Sequence, residues 1–154
     1  MKTLVTYFSQ TGVTAQYAER IAKAIGADLL EIVPEVPYSK ADANWKNPLA
    51  RCNKEWFARK DVPAATKCDN VRDYDMVFVG FPIWYGVAPI VVSNFLQGLD
   101  LNGKRISVFA TSISSKIGKT KEKLEASVPG CEITDAQVFH SLDECESWAR
   151  NILI

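Results

Sequence analysis

The sequence predicts a doubly wound α/β fold, in which helices cover both faces of a parallel sheet. Short apolar, β-branched segments alternate with amphipathic segments along the chain, as strands connected by helices do. Residues 76–80 are apolar at every position, which indicates a central strand that is buried on both faces. The chain has 154 residues, 47% of them apolar, so we expect one domain spanning residues 1–154.

Two predicted strands flank one helix in the first part of the chain. Residues Thr3–Phe8 are rich in β-branched and aromatic side chains and lead into polar residues 9–12, which predicts a strand and then a turn. Apolar residues at helical spacing follow and stop at Gly26, so we expect a helix of about four turns. Leu29–Val33 is the second predicted strand.

Residues Pro34–Asn70 form a long excursion without a clear hydrophobic period. Seven Lys and Arg residues against five Asp and Glu residues give it a net charge of +2. A helix is predicted from about Pro48 to Arg59. Cys52 and Cys68 also lie here, where they could be exposed. The spacing of the four cysteines matches no zinc motif, and we expect reduced thiols and a cytoplasmic protein.

The second half begins with a helix, a strand and another helix. Pro89 begins the first of these helices and Gly98 ends it. Residues Arg105–Ala110 are the fourth predicted strand, and Lys119–Ser127 form the next helix. The carboxyl ends of strands one, three and four are where a doubly wound sheet binds its ligands.

A weaker strand and a final helix complete the chain. The predicted fifth strand, Cys131–Phe139, is interrupted near Asp135. His140 at its end is interpreted as a surface or capping residue. Ser141 and Glu144 have the spacing of a capping box, which predicts that the last helix begins there.

The charge balance excludes several classes of partner. Eighteen basic residues match eighteen acidic ones, so no net field attracts nucleic acid or anionic lipid. An uncharged stretch between Asp75 and Asp100 is long enough to cross a membrane, but glycines and prolines interrupt it. We therefore expect no nucleic-acid partner, no membrane span and no metal site.

The first loop joins strand one to the first helix and contains no charged residue. Hydroxyl groups and backbone N–H groups at a helix N-terminus suit a phosphate dianion. Gly12 favours this reading because a glycine lets an anion approach the backbone closely. The alternative is that Ser9 or Thr11 only caps the helix. The candidate residues of this loop are Ser9, Gln10, Thr11, Gly12, Val13 and Thr14.

Two further loops follow strands three and four. The second loop places two large aromatic side chains between a proline and a glycine, which favours a slot for a flat heteroaromatic ring over simple packing. Its candidate residues are Pro82, Ile83, Trp84, Tyr85 and Gly86. The third loop is rich in hydroxyl groups. Its candidate residues are Thr111, Ser112, Ile113, Ser114 and Ser115.

Residues 7–14 (YFSQTGVT) and 80–89 (GFPIWYGVAP) resemble the flavodoxin family. The resemblance extends over nearly the whole chain and is greatest to short flavodoxin-like proteins with a PIWWG-type loop and a Pro-Tyr segment, here Pro37-Tyr38. It implies a five-stranded parallel sheet in the order 2-1-3-4-5 and noncovalent FMN. In that reading the first loop holds the FMN phosphate, the second runs along the isoalloxazine with Trp84 or Tyr85 stacked on it, and the third lines its other edge.

The third loop departs from the family pattern and leaves the function open. Ile113, Ser114 and Lys116 stand where relatives have glycines, which alters the close backbone approach that glycine allows.

The first hypothesis for the function is an FMN electron carrier that serves a redox partner protein or a small electron acceptor. The alternative is an FMN-dependent NAD(P)H:quinone-type oxidoreductase, although the sequence has no nicotinamide fingerprint. The third is a flavin-free binding module.

Overall fold

A parallel five-stranded sheet lies at the centre of the protein, whose computed structural model describes residues 1–112 and 116–154. The strand order is β2-β1-β3-β4-β5 and every neighbouring pair is parallel, so the predicted fold class and strand order are confirmed. The strands are β1 (Thr3–Tyr7), β2 (Asp28–Glu31), β3 (Met76–Pro82), β4 (Arg105–Thr111) and β5 (Ile133–Phe139).

Helices cover both faces of this sheet. The five α-helices are α1 (Val13–Ile25), α2 (Arg51–Ala58), α3 (Ile90–Gln97), α4 (Thr120–Ser127) and α5 (Asp143–Ile152). One core cluster joins α1 and α5 to the sheet, and the other joins α3, α4 and the excursion to the opposite face. Within the described ranges, no helix combines the length and the apolar character that crossing a membrane requires.

Strand β3 lies in the middle of the sheet, as its uninterrupted apolar sequence predicts. Six of its seven residues are buried, and β1 and β4 pair with it on either side. Gly80 has a packing role, because a Cβ at this position would overlap the ring of Phe109 on β4. The glycine therefore leaves room for the Phe109 ring where β3 and β4 pair, close to the edge at which the polar loops begin.

Some predicted boundaries differ from the structure. Helix α2 begins at Arg51 rather than Pro48. The predicted capping box at Ser141 is wrong, because α5 begins at Asp143 and Leu142 takes the N-cap position while packing against the core beneath α1 and α5. The Ser141 hydroxyl instead accepts a hydrogen bond from the Asp143 N–H at 3.3 Å. Strand β5 is continuous over Ile133–Phe139, so the predicted interruption near Asp135 is replaced by a shift of its register with β4 just before that residue.

The excursion folds against the rest of the protein. Pro34 forms an isolated β-bridge with Ala64, and the Val62 N–H donates to the side chain of Asn94 on α3 at 2.6 Å. Cys52 and Cys68 are buried, so the expectation that they could be exposed is wrong. Cys68 belongs to the core cluster on the α3 and α4 face of the sheet, and its thiol donates to the Asn70 side-chain oxygen at 3.7 Å.

Candidate functional site

Three loops meet at the carboxyl edge of the sheet, where the sequence placed its candidate residues. Thr111 at the end of β4 connects them. Its hydroxyl lies 2.8 Å from the hydroxyl of Thr14 in the first loop, and both side chains are buried. Its carbonyl accepts a hydrogen bond from the Ile83 N–H of the second loop at 3.1 Å. The structure therefore brings residues of all three predicted loops together.

The first loop exposes the amino end of α1. The N-cap residue of α1 is Gly12, but the Ser9 hydroxyl accepts hydrogen bonds from the N–H groups of Gly12 at 3.1 Å and of Ala15 in the first turn at 3.2 Å. The N–H groups of Val13 and Thr14 have no acceptor within the helix, because they belong to its first turn. Thr11, Gly12 and Val13 are exposed. The helix end therefore keeps first-turn N–H groups that no residue of α1 can accept.

Two further properties of this helix end favour an anion. Gly12 adopts φ +91°, and a Cβ there would meet no atom within 4 Å, so the space over the glycine is open. The loop contains no carboxylate that would repel an anion. The positive end of the α1 dipole points into this space.

The second loop is a tight turn with an unusual backbone. Trp84 and Val87 exchange two backbone hydrogen bonds of 2.9 and 3.0 Å. The central residues Tyr85 and Gly86 have φ of +54° and +76°, as a type I′ turn requires. This conformation suits Gly86 but costs about 1 kcal/mol or more for a tyrosine. Contacts of the Tyr85 side chain must therefore compensate for the strain.

Those contacts come from the excursion. The Tyr85 ring stacks on Trp56 of α2 with a centroid distance of 4.9 Å and an interplanar angle of 7°. Its hydroxyl donates a hydrogen bond to the Asn53 side-chain carbonyl. Trp84 instead packs edge-to-face against Phe8 at 5.5 Å and Tyr38 at 5.3 Å. The two adjacent rings thus point to different partners.

Asn53 connects the excursion to the second loop. It is buried, and its amide donates to the carbonyls of Trp45 at 2.9 Å and Asn47 at 2.7 Å. Its own carbonyl accepts from Tyr85. Burial and the neighbouring Cys52 thiol raise the pKa of Tyr85 above its usual value.

A charged pair supports Tyr38 beneath Trp84. The guanidinium of Arg51 lies 4.0 Å from the Tyr38 ring centroid and donates to Glu55 at 3.0 Å. The Tyr38 hydroxyl donates to the other Glu55 oxygen. Burial and this hydrogen bond to Glu55 raise the pKa of Tyr38 above its usual range. In addition, Gln10 of the first loop donates to the Tyr38 carbonyl at 3.2 Å.

The third loop is described only at its two ends. Ile113, Ser114 and Ser115 lie outside the described residues. The Ser112 carbonyl lies 2.9 Å from Nδ1 of His140, which is exposed. Lys116 is exposed as well. At the start of α4, the buried Thr120 hydroxyl donates to the Gly86 carbonyl at 3.2 Å, so the third-loop side also holds the tight turn.

Sequence reasoning missed the residues that the excursion contributes. They share contacts with the second loop or with its neighbours and are Tyr38, Arg51, Asn53, Glu55 and Trp56. Only the Pro-Tyr segment gave a signal, through the family resemblance. Among the described residues, no group of three or more His, Cys, Asp or Glu side chains is arranged to hold a metal ion.

Comparisons with known proteins agree on one family. A sequence profile described as Flavodoxin matches residues 2–152. The structure resembles a protein described as a flavoprotein from Bacteroides eggerthii, with 35% identity, TM-score 0.89 and coverage of 99% of this chain and 98% of that one. A similar protein from Bacteroides uniformis has 32% identity, TM-score 0.89 and 97% coverage of both chains.

More distant similarity extends to a structure of a flavoprotein in complex with FMN from Lactobacillus acidophilus. It has 22% identity and TM-score 0.73, and covers 89% of this chain and 92% of that one. At this identity the likeness shows the fold alone. No curated protein sequence gives a significant match.

Proposed function

The chain belongs to the flavodoxin family, and from that premise we propose that it binds FMN noncovalently and transfers electrons. The observation that carries the proposal is the open amino end of α1, at the same sheet edge as Trp84 and Tyr85. Bound FMN would supply the redox chemistry, and the protein would bind and orient it and tune its potentials.

We assign the FMN phosphate to the first loop. The free N–H groups of α1, the exposed Thr11 hydroxyl and the helix dipole are suited to a dianion, and Gly12 leaves room for it. Ser9 acts by fixing the loop, because its hydroxyl already accepts two backbone hydrogen bonds. Gln10 ties the same loop to the excursion.

We assign the isoalloxazine to the space beside the second loop, with Trp84 or Tyr85 stacked on the ring. Trp56 stacks on one face of the Tyr85 ring and Phe57 contacts that ring at a steep angle, so both excursion residues orient Tyr85. Pro82, Ile83 and Gly86 supply the backbone along the ring. Thr111 and Ser112 would line the other edge.

The Gly86 peptide is the candidate partner of the flavin N5 proton. A glycine at φ +76° can reorient its peptide at little cost, and its carbonyl is held by the side chain of Thr120 alone among the described residues. No side chain is needed as an acid or base in electron transfer. A redox partner protein or a small acceptor would complete the reaction.

Calorimetric titration of the flavin-free chain with FMN, FAD and riboflavin tests this function. We expect one FMN per chain and quenched flavin fluorescence. Riboflavin should bind about 100-fold more weakly or worse, because losing the phosphate removes hydrogen bonds to charge worth roughly 1.5–3 kcal/mol each. Equal affinities for riboflavin and FMN would sink the phosphate assignment, and no binding of any flavin would sink the function.

A further inference from the structure

A groove of about 570 Å³ lies beside the aromatic stack, outside the three predicted loops. It runs between the end of α2, residues Val87 and Ala88, and the facing sides of α3 and α4. Trp56 forms part of its wall and also stacks on Tyr85. A cavity of this volume accommodates a small molecule. Trp56 and Val87 therefore lie between the groove and the tight turn that we assign to the flavin, and each belongs to the wall of the groove.

The groove combines apolar surface with positive charge. Its apolar side chains include Phe57, which is 77% exposed, and the buried Leu124. Three basic residues and one acidic residue line it, giving a local charge of +2 on a chain of net charge zero. These four residues are Arg59, Lys60, Lys123 and Asp61. In the described part of the chain, none of the three cations has a carboxylate within salt-bridge distance.

Two residues near Trp56 have a strained backbone: one follows it in the chain, and the other stacks on its ring. Arg59 and Tyr85 are the two non-glycine residues with positive φ in the described part of the chain, at +51° and +54°. Arg59 occupies the position after α2 that commonly belongs to glycine. An arginine there, despite the strain, places a cation at the edge of the groove. Strain of this kind collects at ligand sites.

We propose that this groove binds a planar aromatic anion, with its ring against Trp56 and Phe57 and its anionic group toward Arg59 and Lys123. Sulfonated or carboxylated quinones and nicotinamide dinucleotides share this chemistry. Binding itself does not need the flavin. The use of the bound molecule as an electron donor or acceptor rests on the proposed function.

The first test compares two ligands of the same ring size on the FMN-saturated chain. Anthraquinone-2-sulfonate is anionic, and 2-(hydroxymethyl)anthraquinone is neutral. Two-dimensional ¹H–¹⁵N spectra should show the Trp56 indole signal, assigned with Trp56→Phe, shifting with the sulfonate. At low salt the anion should bind at least about fivefold tighter, and about 0.5 M salt should remove the difference. Equal affinities at low salt, or shifts confined to other indoles, would overturn the proposal.

The second test uses a matched pair of charge reversals. Lys123 lines the groove, whereas Lys23 lies on α1 at the opposite face of the sheet. Both are exposed lysines on helices, and each is replaced by glutamate. We expect about five- to tenfold weaker sulfonate binding for Lys123→Glu and less than twofold change for Lys23→Glu. Equal effects of the two substitutions would overturn the proposal.

Two further titrations separate this site from the flavin site. FMN affinity should change less than twofold in Lys123→Glu, and a loss equal to that of the sulfonate would mean that the groove is not a separate site. If no flavin binds while the sulfonate still shifts Trp56, the proposed function fails and the groove site stands. NADPH in place of the sulfonate identifies the source: tighter NADPH binding at Trp56 indicates a dinucleotide, and tighter sulfonate binding indicates a quinone-like acceptor. Failure of both to bind overturns the proposal.

Discussion

The first and second loops lie at the same sheet edge, but different parts of the chain determine their shapes. Ser9 bonds to Gly12 only three residues away, so the first loop is built from one short stretch. Tyr85 bonds to Asn53, 32 residues earlier, and the excursion places Tyr38 against Trp84. The anion-binding end is therefore held mainly by local contacts, with Gln10 and Thr14 as its links to the excursion and to β4. The aromatic end depends on the folding of a distant segment.

Asn53→Ala should have the largest effect, because it disconnects the two segments. It removes two buried donor bonds and leaves the Tyr85 hydroxyl without its acceptor, which should lower the free energy of unfolding by about 3 kcal/mol. Urea unfolding followed by tryptophan fluorescence measures the change. The exposed Asn44 is the control, since Asn44→Ala should cost less than about 0.5 kcal/mol. An Asn53→Ala variant as stable as that control would contradict the claim that Asn53 connects the excursion to the second loop.

Truncation of the stacked ring should weaken the aromatic end alone. Either Trp84→Ala or Tyr85→Ala should reduce FMN affinity by more than about 1 kcal/mol and relieve fluorescence quenching, because stacking contributes about that much. Titration of each apoprotein with FMN gives both values. Trp45→Ala is the matched control, as that side chain is 67% exposed. Unchanged affinity and quenching in both loop variants would mean that the ring binds elsewhere.

Thr120→Val should have a smaller effect, confined to the tight turn. It removes the hydroxyl that donates to the Gly86 carbonyl while keeping the side-chain volume, at a cost of about 1 kcal/mol in stability. Thr120→Ser retains the donor and should restore the slow amide exchange of residues 84–87 that the valine variant loses. Identical exchange in the serine and valine variants would show that this bond does not hold the turn.

The smallest expected effect concerns charge near the third loop. Lys116 is exposed, and Lys116→Glu should lower the flavin midpoint potential by roughly 20–40 mV, because a negative charge opposes electron addition and salt screens it. Photoreduction against a reference dye measures the potential. Lys23→Glu on α1 changes the net charge equally. An equal shift of the midpoint potential in both variants would show that Lys116 has no specific effect on the flavin.

The fold could be predicted because its signals are local. The apolar run of β3, the left-handed Gly26 after α1 and the alternation of strands and helices each follow from short-range patterns. The start of α5 was missed for a tertiary reason. Leu142 packs into the core at the helix start, and this packing outweighs the capping signal of Ser141.

The candidate site could be predicted only where its contacts are local. The anion site of the first loop could be predicted from six consecutive residues, 9–14. The role of the excursion could not be predicted in this way. Asn53 and Trp56 of α2 contact the second loop, and the hydrophobic pattern of the excursion does not indicate these contacts. Its Arg51–Glu55 pair has helical spacing, but the sequence alone gives no reason to place this pair against Tyr38.

The central claim is that the amino end of α1 holds the phosphate of FMN, and ³¹P NMR of the FMN-loaded chain tests it most directly. A free phosphate monoester titrates with a pKa near 6, so its ³¹P shift moves between pH 5 and pH 8. Hydrogen bonds from Thr11, Val13 and Thr14 would favour the dianion and hold its pKa below this range. We predict a bound ³¹P signal that stays constant from about pH 5 to pH 8. A bound signal that titrates like free FMN would contradict the claim.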